Sequence, residues 1–166
     1  MRPLPLHFID CAGKGFGEQR DDDDPSTRNL GFAERTVAEV RRVLSRGVAP
    51  ADVAVITPYL AQVRLLRERL RDAVDAGLEV GTVDGFQGRE KEVVVVDLVR
   101  CNEEGEIGFL AEVRRTHVAI TRARSLLLVI GDSATLARHA YYQGFMDAAH
   151  AQGGHLSAWA DEAEPL

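Results

Sequence analysis

The stretch TVDGFQGREKEVVVVDLVR, residues 82–100, decides how the chain folds. It opens as the end of one strand, turns through a glycine-punctuated segment holding Gln87, Arg89 and Glu90, and continues as the apolar run 93–98. That run does not alternate, and a strand apolar on both faces belongs to a parallel sheet covered by helices on each side. Residues 6–9, 53–56, 79–83 and 126–130 are short and β-prone in the same way.

The segments between them carry helical spacing. Asn29 is placed to cap a helix whose inner face is Ala33, Val37, Val40 and Leu44, with Arg35, Glu39, Arg41 and Arg42 largely off that stripe. Gly47 and Pro50 close it. A second helix sets Tyr59, Val63, Leu66, Leu70 and Val74 on one face and stops at Gly77. Residues 112–121 and 136–151 read as two more. The alternation of strand and helix predicts an α/β three-layer domain with a mainly parallel sheet over residues 1–152, followed by a tail, 153–166. Residues 13–28, with the run of aspartates 21–24, read as a mobile acidic loop, because adjacent carboxylates repel and bury nothing. Without a scaffold such carboxylates are ordinarily solvated, so no metal site is expected there.

Composition narrows the function classes. The chain has 166 residues, enough for one well-cored domain, and a net charge of −6, which argues against a nucleic-acid binder relying on bulk attraction. No apolar run approaches the ~20 residues of a membrane helix, and MRPLPLHFID has no signal-peptide core. No membrane association is expected. Two cysteines, Cys11 and Cys101, are too few for a disulfide framework or zinc site and fit a cytoplasmic setting.

In open α/β sheets, ligands gather beyond the carboxyl ends of the strands. Thr57 and Tyr59 follow one strand, Thr82 to Glu90 follow another, and Arg100 and Asn102 follow a third. Gly85 and Gly88 let the backbone approach a ligand closely, but also suit a plain tight connection. Downstream, RRTHVAITRAR (114–124) carries Arg114, Arg115, Arg122 and Arg124, with Arg115 and Arg122 seven apart on one helical face. Guanidinium groups grip phosphate bidentately, and equally they decorate ordinary helix surfaces. Tyr59 could stack on a purine or simply anchor the helix that follows it. His117 reads as structural, and no serine or cysteine completes a nucleophile–base pair. No G-x-x-x-x-G-K-[ST] string occurs, so a triphosphate-gripping loop is absent from this sequence.

In order and wording, three strings resemble the C-terminal RecA-like motor domain of superfamily 1B helicases, specifically the Upf1-like, immunoglobulin-mu-binding type. VAVITPYLAQVRLL resembles motif IV, VDGFQGREKEVVVVDLVR motif V, and GFLAEVRRTHVAITRAR motif VI. The resemblance covers about residues 6–142. It implies a RecA-like, P-loop NTPase-type fold lacking its own P-loop, ATP with Mg2+ as cofactor, and an N-terminal RecA-like domain and single-stranded DNA or RNA as partners. By position, Arg122 matches the arginine finger that reaches the γ-phosphate, while Gly88 and Glu90 match nucleotide-facing positions of motif V. Tyr59 matches the adenine-stacking tyrosine of motif IV, and Gln62 of the same motif is assigned to the nucleotide. Thr57, Thr82 and Arg115 fall to the single strand.

The chain departs from the family pattern at several positions. Val63 stands where many relatives carry an arginine, His117 where asparagine is usual, Phe32 where glutamate commonly precedes the first helix, and Asp97 where serine is usual. The implied activity is the second half of an ATP-dependent 5′–3′ helicase or translocase, inactive by itself. The alternative is a stand-alone, non-catalytic nucleic-acid- or protein-binding module derived from a helicase.

Overall fold

The computed structural model describes residues 4–21, 24–86 and 89–159. Gln87, Gly88, part of the aspartate run and the last residues of the tail lie outside them. The centre is a six-stranded sheet in the order β5-β4-β6-β7-β1-β8, every neighbouring pair parallel. Its strands are β1 (Leu6–Asp10), β4 (Val53–Ile56), β5 (Glu79–Gly81), β6 (Lys91–Asp97), β7 (Ala123–Gly131) and β8 (His155–Ser157).

Period-two geometry divides the apolar run of each central strand between two cores. Val53, Val55, Val93, Val95, Leu128 and Ile130 face α1 (Leu30–Ser45), α2 (Leu60–Arg69) and α3 (Arg71–Asp75). Ala54, Ile56, Val94, Val96, Leu127 and Val129 face the opposite layer of α4 (Val113–Ile120), α5 (Ser133–Leu136) and α6 (Ala140–Ala151). The register Val55↔Val95 and Val95↔Leu128 stacks these residues in rows across the sheet. This is the three-layer α/β arrangement the strand pattern requires.

Four features differ from the expectation. Part of the 13–28 loop is a hairpin, β2 (Gln19–Asp21) paired antiparallel with β3 (Asp24–Arg28). It is held because β3 docks on α2: Thr27 is buried, and Ser26 Oγ accepts from Ala61 N at 3.0 Å. The tail region contributes β8, which pairs with the open edge of β1. Its sequence, HLS, has no apolar run to signal a strand; Asp10 and the unpaired edge of β1 supply the partners, with His155 Nε2 3.0 Å from Asp10 Oδ2. The strand after Gly77 ends at Gly81, and Val83–Phe86 forms a turn of 3-10 helix. The second expected helix breaks at Leu70 into α2 and α3.

On α1, Asn29 caps as expected, its side chain accepting from Phe32 N at 3.0 Å. The buried face is wider than the apolar stripe, however, and takes in Thr36, Val43 and Glu39. Glu39 is fully buried under the guanidinium groups of Arg35, at 2.9 Å, and Arg42, at 3.1 Å. Two cations on flanking turns make a charge tolerable where one carboxylate alone would not be. Glu39→Ala leaves both guanidiniums without their acceptor, and a loss of about 3 kcal/mol is expected. A urea titration monitored by far-UV circular dichroism measures it as a lowered midpoint.

Candidate functional site

The carboxyl end of β6 is shaped by an unusual turn. Arg100 N donates to Leu98 O at 2.6 Å, closing a three-residue turn on Val99, whose φ is 66°. A β-branched residue there is strained by about 1–3 kcal/mol and persists only where its surroundings over-determine it. They do so here: Val99 N donates to Asp97 Oδ1 at 3.0 Å, and Asn29 Nδ2 donates to Val99 O at 2.9 Å.

The turn delivers Arg100 into a buried cluster. Its Nε and Nη2 donate to the two oxygens of Glu18 at 2.6 and 3.0 Å, and its Nη1 donates to the Tyr59 hydroxyl at 3.0 Å. Glu18 also accepts from Cys101 N and Asn102 Nδ2. Burial disfavours the charge of Arg100, but Glu18 and Tyr59 outweigh it and hold its pKa above the ordinary value. Phe109 N donates to the same Tyr59 hydroxyl, and the Phe109 ring stacks on the Tyr59 ring at 5.0 Å with 16° between planes. Tyr59 is 4% exposed. The ring expected to meet adenine is therefore covered, because Phe109 takes one face and Arg100 engages its hydroxyl. Gly108 makes the close approach possible: its φ is 52°, and a Cβ there would run into the Arg100 guanidinium and the Tyr59 hydroxyl.

Gln62, assigned to the nucleotide, also spends its polar atoms inside the domain. It is fully buried, with Nε2 donating to Asn29 O at 3.0 Å and to Asp97 Oδ2 at 2.8 Å, and Oε1 accepting from Asn29 N at 2.9 Å. Thr36 Oγ1 donates to the same Asp97 oxygen at 3.0 Å. Asp97 thus accepts three hydrogen bonds but has no cation beside it. Burial pushes its carboxyl up to about 6, with the bonds from Gln62, Thr36 and Val99 opposing.

The three residues assigned to the single strand lie along one side of this edge. Thr57 and Arg115 share a small cavity of about 30 Å³, room for little more than one water, with Pro58, Val83 and Phe109 in its wall. Thr57 is fully buried and its hydroxyl has no partner. Beside this cavity, Asp84, Arg114, Arg115 and Val118 wall a recess of about 270 Å³. Thr82, half-buried, precedes Val83, which lines both. Arg115 is exposed and pairs with Glu112 at 3.1 Å and Asp84 at 3.7 Å.

Arg122 and Glu90 sit elsewhere. Parallel strands must be re-entered from the amino end, so the connection 82–90 crosses from the carboxyl edge at Gly81 to the amino edge at Lys91. Glu90 is exposed there, and Lys91 N donates to Arg122 O at 3.0 Å. Helix α4 ends at Ile120, so Arg122 lies beyond it and does not share a helical face with Arg115. Its Nε donates to Val118 O at 3.1 Å, a carbonyl that also accepts from Thr121 N and Oγ1, and its Nη2 donates to Thr121 Oγ1 at 3.1 Å. No carboxylate among the described residues pairs with it. Gly88 lies outside the described residues.

The profile of the AAA domain family matches residues 2–134. The chain belongs to that family. This AAA domain is 45% identical over 144 residues to the DNA-binding protein SMUBP-2 of Rattus norvegicus, covering 87% of this chain and 14% of that protein. It is 41% identical over 142 residues to an uncharacterised ATP-dependent helicase of Methanocaldococcus jannaschii, covering 86% of this chain and 20% of that one. The chain thus spans well under a quarter of the length of these relatives. In fold it is similar to the C-terminal domain of a possible DNA helicase from Lactobacillus plantarum WCFS1, with a TM-score of 0.53 and 15% identity over 93% of this chain and 85% of that one. By sequence it is related to helicases of the Upf1-like group, and its fold is the three-layer RecA-like one.

Sequence reasoning passes over Glu18 and Phe109. Glu18 sits in what reads as a solvated acidic loop, and its partner is 82 residues away. The one local signal for Phe109 is the glycine before it.

Two outcomes are expected. Gly108→Ala, forced to hold a positive φ against two buried groups, lowers stability by about 2–4 kcal/mol, read from its urea midpoint. For Asp97, the folded state keeps a proton that the unfolded chain releases between its ordinary value of 3.8 and about 6. Stability from this group therefore falls as pH rises across that window, by on the order of 2–3 kcal/mol, and is flat above it. Urea midpoints of Asp97→Asn, compared with the parent between pH 4 and 7, lose this slope.

Proposed function

We propose that this chain acts as the second motor domain of an ATP-dependent 5′–3′ helicase or translocase of superfamily 1B. It would work with an N-terminal RecA-like domain on single-stranded DNA or RNA, in the cytoplasm. The observation that carries the reading is Arg122, a guanidinium at the open end of α4 tethered only by a carbonyl and a hydroxyl. Those contacts hold it in place without neutralising it, which leaves its charge for a phosphate.

The residues fit one end of an ATP–Mg2+ complex. Arg122 can meet a phosphate, with Glu90 exposed near the same edge, whereas the sequence has no phosphate loop and no group of three metal-ligating side chains occurs among the described residues. The triphosphate and Mg2+ would be held by the N-terminal domain, and ATP supplies the hydrolysable phosphate bond. On closure of the two domains, Arg122 would be the residue to leave Thr121 and offer its terminal nitrogens to the γ-phosphate. At the carboxyl edge, Thr82 and Arg115 would hold the backbone of the strand, with the buried Thr57 in the wall behind them; contacts to backbone rather than bases suit translocation on any sequence. Because the two functions occupy opposite ends of α4, a tilt of this domain about its phosphate-sensing end would swing the strand-holding end relative to the N-terminal domain.

The test is hydrolysis by the chain joined to a motor domain that bears a phosphate loop. Arg122→Ala is expected to lower kcat about 10³-fold without changing thermal stability, since no ion pair is lost. The 166-residue chain alone is expected to turn over no ATP. Turnover unaffected by Arg122→Ala, or a lone chain that hydrolyses ATP through Arg122, would falsify the reading.

A further inference from the structure

We infer that the outer face of Phe109 is a stacking platform for one unpaired base of the single strand. The inference rests on the reading of this edge as strand-handling and adds a residue no motif assigns.

Phe109 is 57% exposed, an unusual position for a phenylalanine held so firmly. Its backbone N–H is fixed to the Tyr59 hydroxyl and its inner face lies on the Tyr59 ring, 16° from parallel. The Arg100 guanidinium, locked by Glu18, donates to the Tyr59 hydroxyl at 3.0 Å and fixes that ring in turn. The exposed ring therefore rests on a buried ring that is itself anchored. A flat apolar surface on a pre-ordered support loses little entropy when something flat is laid on it. Bases stacked on aromatic side chains in this way contribute ~1–3 kcal/mol each, whatever the sequence.

What surrounds the ring chooses the occupant. Leu60 and Val113, two of the other three exposed large apolar residues described, open helices that begin at this edge. Phe109 also walls the cavity in which the buried Thr57 hydroxyl lacks a partner and Arg115 stands exposed. An exposed aromatic face with the Arg115 guanidinium on the same wall suits a nucleotide unit, base on the ring and phosphate on the guanidinium. A protein partner would call for a broader apolar surface than one ring and two aliphatic side chains. The base belongs to the strand and not to ATP, because Arg122 and Glu90 lie at the other end of α4.

The probe is an oligothymidylate of about 12 nucleotides carrying one 2-aminopurine, titrated against the whole chain. Binding with quenching of the 2-aminopurine is expected. Phe109→Ala should weaken it roughly 5–100-fold and abolish the quench, and Phe109→Trp should preserve both, with thermal melts checking that the variants are folded. Affinity unchanged in Phe109→Ala, or no binding by the parent chain at millimolar concentration, overturns the platform. So does a Phe109→Ala effect confined to ADP binding, or one on association with an added motor domain while oligonucleotide affinity stays the same. The helicase reading stands or falls separately, on ATP hydrolysis by Arg122 variants, which Phe109 does not enter. Weakening by Arg115→Ala but not by Phe109→Ala would keep that strand-handling reading and remove the platform.

Discussion

Around the buried carboxylate of Asp97, the two helical segments on one face and the central strand meet at a single point. It draws in Thr36 from α1 and Gln62 from α2, and through its other oxygen it captures Val99 just past the end of β6. Asn29 closes the ring by capping α1 and bonding to Val99 O and to Gln62. Fully buried, such groups must satisfy one another, so their geometry is fixed to within a hydrogen bond. The strained Val99 turn is a consequence. From it follow the direction of Arg100, the seating of Tyr59 and the exposure of Phe109.

This rigidity bears on the division of labour in the domain. The carboxyl edge is pre-ordered by buried polar bonds, and Thr57, Tyr59, Arg100 and Phe109 have little freedom there. At the other end of α4, Arg122 is held by two weak neutral contacts and can leave them at small cost. On the proposed function, the firm end would grip the strand while the loose end senses a phosphate.

Much of the architecture could be read in the chain itself. The doubly apolar strands 53–56, 93–98 and 126–130 could be buried only in a parallel sheet between helical layers, and the Asn29 cap and the Gly77 stop are local chemistry. The three motif strings carry the family likeness in residue order alone. Illegible were the elements that borrow their stability from elsewhere: β8, whose HLS sequence is a strand only because β1 has a free edge, and β3, held by α2. Glu39 reads as a surface charge until Arg35 and Arg42 fold over it.

For the site, sequence by itself determined which chemistry is present: the arginines, the strand-end hydroxyls and the missing phosphate loop. Residue type and order survive any folding. Only the tertiary structure decided which of those groups are free to use it. Gln62 and Tyr59 bear the right side chains yet spend their polar atoms on buried partners, and Glu90 and Arg122 sit at the opposite edge from Thr57. The reason is that availability depends on partners far away in sequence. Glu18 reaches Arg100 across 82 residues and Asn29 reaches Val99 across 70, distances over which no local pattern carries information.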